Sequence, residues 1–261
     1  MGAEVGRTLV VVLAHPDDDT FGVGGSIALH AEDPDLRFVL VLATSGDAGE
    51  ISDPALATRE NLAAVREEED RSSWRALGRE PDRLEFLRFK DGTLATMDRE
   101  TLIRSVAAIL EEEQPDLVIT FGPEGVTAHV DHISIGRATM EAFHQVRLAG
   151  PGAFRRLLQI CIPESLLAVF NERLIAAGEE PIDPTKPFQP RGVPDQMVAV
   201  EVDTSSVWRR TLAALKEHRT QSETGMPEEM AEQVLSAEFF SQPFPGRPPG
   251  APRLTDIFEG L

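Results

Sequence analysis

Two short clusters in this chain place imidazoles and carboxylates close enough to share a cation: Leu13-Ala14-His15-Pro16-Asp17-Asp18-Asp19 and His129-Val130-Asp131-His132. Three successive carboxylates beside a histidine repel one another unless water solvates them or a cation neutralises them. Taken alone, the first cluster could equally be a solvated acidic turn in which Asp17 or Asp18 caps a following helix. The second cluster shifts the balance. A catalytic zinc site draws three ligands from His, Asp or Glu and keeps a position open for water, and two histidines with one carboxylate meet that need. If a helix begins near His129, then His129 and His132 share one of its faces; by themselves they could be a surface pair at a helix start. Asp131 suits either of two roles, orienting a neighbouring histidine or capping the helix. His30 and His144 sit in helical patterns without nearby acids and are expected to be surface or packing residues.

The elements around these clusters give them a common address. Leu9 to Ala14, Phe38 to Ala43, Leu84 to Phe89 and Leu117 to Phe121 are short β-branched or aromatic runs that read as buried strands. Helical patterns at Gly24 to Ala31, Thr58 to Leu77 and Arg99 to Glu113 alternate with them, which predicts an α/β fold with a Rossmann-like parallel sheet flanked by helices. The first cluster follows the first strand directly. The second follows the fourth strand after the loop Gly122 to Ala128, so both can lie at the strand ends where open α/β sheets bind ligands.

The later chain is less regular. Helices are expected at Ile133 to Arg147, Glu164 to Ala177 and Ser205 to Gln221, and strands at Leu157 to Ile162 and Met197 to Val202. Gly178 to Gln196 and Gln242 to Arg253 hold five prolines each and are expected to be loops. The expectation is one domain over residues 1–261, with a metal-binding half in 1–150 and a substrate-pocket and lid half in 151–261.

Composition excludes several partner classes. The 44 acidic against 25 basic residues give a charge of -19, which opposes nucleic acid and anionic lipid. No apolar run is long enough to span a bilayer, and no basic stretch leads into a signal core. The lone Cys161, in an apolar run, reads as core packing in a reducing compartment, so the expected location is cytoplasmic.

The motifs together resemble the PIG-L or LmbE-like de-N-acetylases, whose hallmarks are an Ala-His-Pro-Asp-Asp-Glu segment and a later His-Pro-Asp-His segment. Here they read AHPDDD at residues 14–19 and HVDH at 129–132. The resemblance extends to Thr44-Ser45-Gly46-Asp47-Ala48-Gly49-Glu50, to Arg66 and Glu69 before Leu77-Gly78, to Asp91-Gly92, and to His218-Arg219-Thr220-Gln221. Two departures stand out: Asp19 replaces the usual glutamate and Val130 the usual proline. The chain also has no tyrosine, so a role for one near the HxDH segment does not carry over.

The resemblance implies that His15, Asp18 and His132 hold the metal, that Asp17 is the general base, and that His129 is the general acid or stabilises the oxyanion. It implies that Arg66 and Asp91 contact the substrate, although beside the acidic run Glu67 to Asp70 the arginine could simply be on a solvated helix face. Segment 218–221 is implied to return to the active site, where sequence alone reads a surface helix end. The implied cofactor is Zn2+, with Fe2+ possible because a His-His-Asp site accepts several divalent ions. The implied partner is a small N-acetylated sugar derivative, and a homo-oligomer is plausible on the same ground. An amidase acting on a thiol-sugar conjugate is the alternative within the family.

Rival classes fare less well. A dinucleotide-binding fingerprint counted from Gly22 fails at Ile27, and no GxSxG nucleophile elbow occurs. The glycines at 22, 24 and 25 are expected instead to let the helix start approach the metal loop. A metal-binding module without turnover would be favoured by loss of Asp17, which is present.

Overall fold

The computed structural model of the chain describes residues 6–150, 153–221 and 228–261. Its first part alternates strands β1 (Arg7–Leu13), β2 (Leu36–Thr44), β3 (Arg83–Phe89) and β4 (Leu117–Phe121) with helices α1 (Asp18–Leu29), α2 (Leu62–Leu77) and α3 (Arg99–Glu113). A distorted turn, α4 (Gly125–Ala128), leads into α5 (Val130–Ala149), and the chain re-enters the sheet as β5 (Arg156–Ile160). β6 (Ile162–Pro163), α6 (Glu164–Ala177), β7 (Gly192–Val193), β8 (Val198–Asp203), α7 (Trp208–Leu215), α8 (Glu228–Leu235) and β9 (Ala237–Phe244) follow.

One seven-stranded sheet runs β3-β2-β1-β4-β5-β9-β8. The five strands β1 to β5 are parallel, while β9 runs antiparallel to both β5 and β8. From β1 the chain winds outward to β2 and β3, then returns to place β4 on the other side of β1. β1 and β4 therefore form the switch point, where successive connections leave in opposite directions and open a crevice at the strand ends. Leu9 to Leu13 of β1 and Leu117 to Ile119 of β4 are fully buried, as expected of strands covered on both faces.

Local chemistry sets the helix ends. α3 starts where Asp98 accepts from the Thr101 amide at 3.1 Å and stops at Gln114 in a left-handed conformation, the span its sequence pattern predicts. α6 likewise occupies Glu164–Ala177. α2 begins four residues later than its pattern suggests, because Asn61 Oδ1 accepts from the Thr58 amide at 2.7 Å and folds those residues into a turn. α7 is shorter at both ends, since Val207 donates to Thr204 O and His218 to Leu215 O in separate turns.

Three expectations are corrected. The segment Gln242 to Arg253 is not wholly loop: Gln242, Pro243 and Phe244 end β9 inside the sheet. Leu157 pairs with Phe244 and Gln159 with Ser241, so a register shift takes up Gln242 and Pro243 and spares the ladder a missing donor. The glycines of α1 serve other neighbours than the metal loop. A Cβ on Gly22 would meet Ile160 Cδ1 at 2.5 Å, and one on Gly25 would meet Thr204 Cγ2 at 2.6 Å. His30 has an acid after all, as its Nε2 lies 2.7 Å from Asp256 Oδ2, 226 residues away in the chain. Cys161 is buried, and burial pushes its thiol up to about 12. Among the described residues no helix is long and apolar enough to cross a membrane.

Candidate active site

The tip of β1 is pinned to β2 by the Thr44 amide, which donates to Ala14 O at 2.9 Å. The chain then turns sharply. His15 N–H donates to Asp18 Oδ2 at 2.8 Å, and Asp17 is held at φ 89°, a conformation costly for a residue with a side chain. Asp17 occupies the N-cap position of α1 but makes no capping bond, so the simple acidic-cap reading does not hold. Its carboxylate instead receives Arg66 Nη2 at 2.8 Å.

Across the crevice, beyond β4, His132 Nδ1 donates to Gly125 O at 3.0 Å and its ring stacks on Phe121 with centroids 4.1 Å apart. This fixes the free Nε2 of His132 toward the β1 loop. It lies 3.2 Å from Asp18 Oδ1 and 3.3 Å from His15 Nδ1, and His15 Nδ1 lies 3.2 Å from Asp18 Oδ2. Ligand atoms about 2.0 Å from a tetrahedral ion are separated by ~3.3 Å, and each imidazole nitrogen stands at that spacing from the other and from one oxygen of Asp18. His15, Asp18 and His132 are thus brought together.

The far nitrogen of His15 faces two carboxylates: Nε2 lies 3.0 Å from Asp91 Oδ1 and 3.5 Å from Asp131 Oδ2. Asp91 is held by the Ala48 amide at 2.9 Å, and Asp131 by the amides of Gly92 at 2.7 Å and Leu94 at 2.9 Å. Carboxylates set against an imidazole in this way orient its ring and make its other nitrogen a stronger donor. Asp131 is therefore not the helix cap; that position belongs to His129, whose Nδ1 accepts from the Asp131 amide at 3.2 Å. Two overlapping triplets, His15–His129–His132 and His15–Asp91–Asp131, also have ligand atoms within 4.8 Å of one another.

The electrostatics favour positive charge at this point. Burial opposes ionisation of Asp18, yet His132 and His15 hold its carboxyl far below the usual range. Asp91, against the same burial cost, is held down to about 2 by its bond to His15. His15 is buried, which disfavours its cation, but bonds to Asp131, Asp18 and Asp91 raise it well above its ordinary value. His129, half-buried, is lowered by burial and then by the neighbouring imidazoles.

Arg66 is 3% exposed, not on a solvated face. Nη1 donates to Gly46 O at 3.1 Å, and Nη2 to Pro16 O at 2.7 Å as well as to Asp17. Gly46, at φ 66°, is required here: a Cβ would lie 2.2 Å from Arg66 Nη1. Arg66 thus ties the β1 loop to the β2 loop through Asp17, Pro16 and Gly46, and Asp91 lies against His15. Segment 218–221 does return beside this loop. Glu69 accepts from Thr220 N and Oγ1 at 2.8 and 2.7 Å, and Gln221 Nε2 donates to Glu50 O at 3.1 Å. Burial and then the charge of Arg66 lower the wholly buried His218 to about 3.

Sequence reasoning missed two groups. Asp19 accepts from Trp74 Nε1 and faces Asp70, and both carboxylates are fully buried. Burial raises Asp19 to about 6; burial and the charge of Asp19 raise Asp70 well above its usual value. Nothing in the spacing of Asp70 separated it from its acidic neighbours on α2. Phe188, in the proline-rich loop before β7, lies with its ring centroid 5.3 Å from that of His129.

The sequence profile described as PIG-L: GlcNAc-PI de-N-acetylase matches residues 10–143. The 1D-myo-inositol 2-acetamido-2-deoxy-alpha-D-glucopyranoside deacetylase of Thermobifida fusca strain YX is 31% identical, over 97% of this chain and 99% of that protein. The structure of N,N'-diacetylchitobiose deacetylase from Pyrococcus horikoshii is similar with a TM-score of 0.58 at 22% identity, covering 90% of this chain and 83% of that one. The 4-carboxy-2-hydroxymuconate hydratase of Pseudomonas putida KT2440 is similar with a TM-score of 0.61 at 20% identity, over 93% and 98%. A hydratase and a deacetylase thus share this fold, so the fold leaves the reaction to be argued from the site.

Proposed function

This chain belongs to the PIG-L, or GlcNAc-PI de-N-acetylase, family, and from that premise we propose that it hydrolyses the N-acetyl group of a small N-acetylglucosaminyl derivative, releasing acetate and a free amine. The observation that carries the reading is the spacing of 3.2 to 3.3 Å among His15 Nδ1, His132 Nε2 and the two oxygens of Asp18, with Asp17 and His129 beside them. The donor set of two imidazoles and one carboxylate suits Zn2+, and Fe2+ by the same chemistry. Such an ion, when bound, supplies Lewis-acid activation of the acetyl carbonyl and of the attacking water.

The chain's own groups divide the proton traffic. Asp17 takes the proton from the attacking water, and the Arg66 guanidinium, 2.8 Å away, holds its carboxylate in place. His129, with Nδ1 accepting from the Asp131 amide, presents its Nε2–H as a hydrogen bond to the developing oxyanion or the departing amine, and the proton that the amine takes up is the one Asp17 removed from the water. Asp91 and Asp131 act through His15, whose ring they orient.

The test is elemental analysis of the purified protein with an assay for acetate release from N-acetylglucosamine glycosides, with and without chelator. About one divalent ion per chain and chelator-sensitive acetate are expected. No bound metal after reconstitution, or metal without acetate from any glycoside, would overturn the proposal.

A further inference from the structure

The mouth of the site carries an aromatic side chain that packing within the chain does not explain. Phe188 is 67% exposed, although a large apolar ring is normally withdrawn from water. Its backbone lies at φ 57°, a strained conformation for a residue with a bulky side chain. The sequence Lys186-Pro187-Phe188-Gln189-Pro190 restricts the chain on both sides of the ring, since each proline fixes its own φ and narrows the residue before it.

The segment is also moored to the catalytic loop. Arg191 N–H donates to Val126 O at 2.7 Å, one residue from the carbonyl that orients His132. Gly192 and Val193 then pair with Ile162 and Pro163, close after the tip of β5. A stiff, tethered strap thus holds an exposed ring at a tilt of 45° and 5.3 Å from His129. Strain and exposure both cost free energy in the free protein, and a ligand that covers the ring recovers part of it.

We propose that Phe188 is a specificity-determining residue whose ring packs on the C–H face of a saturated ring in the group attached to the departing amine. The inference rests on the roles proposed above: if His129 serves the amine, the group beside it meets the sugar and its aglycone, not the acetyl methyl. An aromatic face suits the partly positive C–H bonds of a pyranose or cyclitol better than an open-chain carboxylate.

The test is equilibrium binding by calorimetry to the zinc-loaded full chain, using cyclohexyl and carboxymethyl N-acetylglucosaminides, for the parent, Phe188→Ala and Phe188→Trp. Kinetics of acetate release are run on the same pairs. The expected result is a preference for the cyclohexyl glycoside that Phe188→Ala reduces by about three- to tenfold in Kd and KM, with kcat within about twofold, and that Phe188→Trp restores. Equal weakening of both glycosides, no weakening, no binding of either, or loss confined to kcat would overturn the assignment. Parent protein that binds with this preference but releases no acetate would sustain the role of Phe188 while refuting the deacetylase; acetate release indifferent to position 188 would do the reverse.

Discussion

Arg66 Nη2 reaches from α2 to the Asp17 carboxylate at 2.8 Å, with the two side chains only 4% and 16% exposed. The same guanidinium is bonded to the carbonyls of Pro16 and Gly46, so it fixes the β1 loop and the β2 loop relative to one another.

Arg66→Ala should therefore lower kcat by about 10²-fold through misplacement of Asp17, while metal content is kept. Loss of a buried partner should also cost a few kcal/mol of stability. Arg66→Lys, which restores charge but not the forked geometry, should lie between. Steady-state kinetics and thermal melts of both variants decide it; an unchanged kcat in Arg66→Ala would remove the positioning role.

Asp17→Asn and His132→Ala should separate proton transfer from metal binding. The first is expected to keep about one ion per chain and lose turnover by about 10²- to 10⁴-fold. The second should lose the ion. Elemental analysis beside acetate release reads both, and equal metal loss in the two variants would refute the division of roles.

Asp19→Glu supplies the residue the family usually has, but here it should destabilise. Asp19 is fully buried, bonded to Trp74 Nε1 and set against Asp70, so an added methylene has no free space. A cost of about 1–3 kcal/mol is expected in urea unfolding. A variant as stable as the parent would mean that the pocket around Trp74 is larger than the contacts indicate.

Glu238 gives a pH dependence with a definite sign. Its carboxyl projects from β9 and is buried against α1, accepting from the amides of Gly25 at 2.6 Å and Ser26 at 3.0 Å and from the Ser26 hydroxyl. Burial outweighs those bonds and raises it to about 7 from 4.5. The folded state thus holds a proton that the unfolded chain has released. This contribution to stability is fully present below about pH 4.5, falls as pH rises toward 7, and is lost above it. Unfolding free energies of the parent minus Glu238→Gln, measured across pH 4 to 8, should slope downward through that window; a flat difference would show that Glu238 titrates in the fold as it does in the unfolded chain.

What the sequence made legible was what strand ends and periodicity encode. A buried run followed by AHPDDD, and another followed by HVDH, placed both clusters at one edge of a parallel sheet, and the α3 and α6 spans follow from capping and apolar spacing. Contacts made only in three dimensions were not legible. Arg66 and Asp70 share an acidic helix with ordinary surface residues, and only burial separates them. Asp91 is committed to His15 by distance, not by spacing. Pro243 masked the end of β9, because a register shift that tolerates proline is invisible until the partner strand is known. His30 found its acid 226 residues downstream.

The placement of β9 has a consequence for synthesis. β1 to β5 can assemble in the order in which they leave the ribosome, but β8 pairs with β9, which is made more than thirty residues later, and through Val200 with Leu254, made later still. Until residues 237–244 arrive, β5 presents a bare edge and β8 has no neighbour, an arrangement open to pairing with other chains. Nascent or truncated chains ending before β9 should therefore need chaperone cover that the finished chain does not, and the last tenth of the polypeptide closes the sheet for the rest.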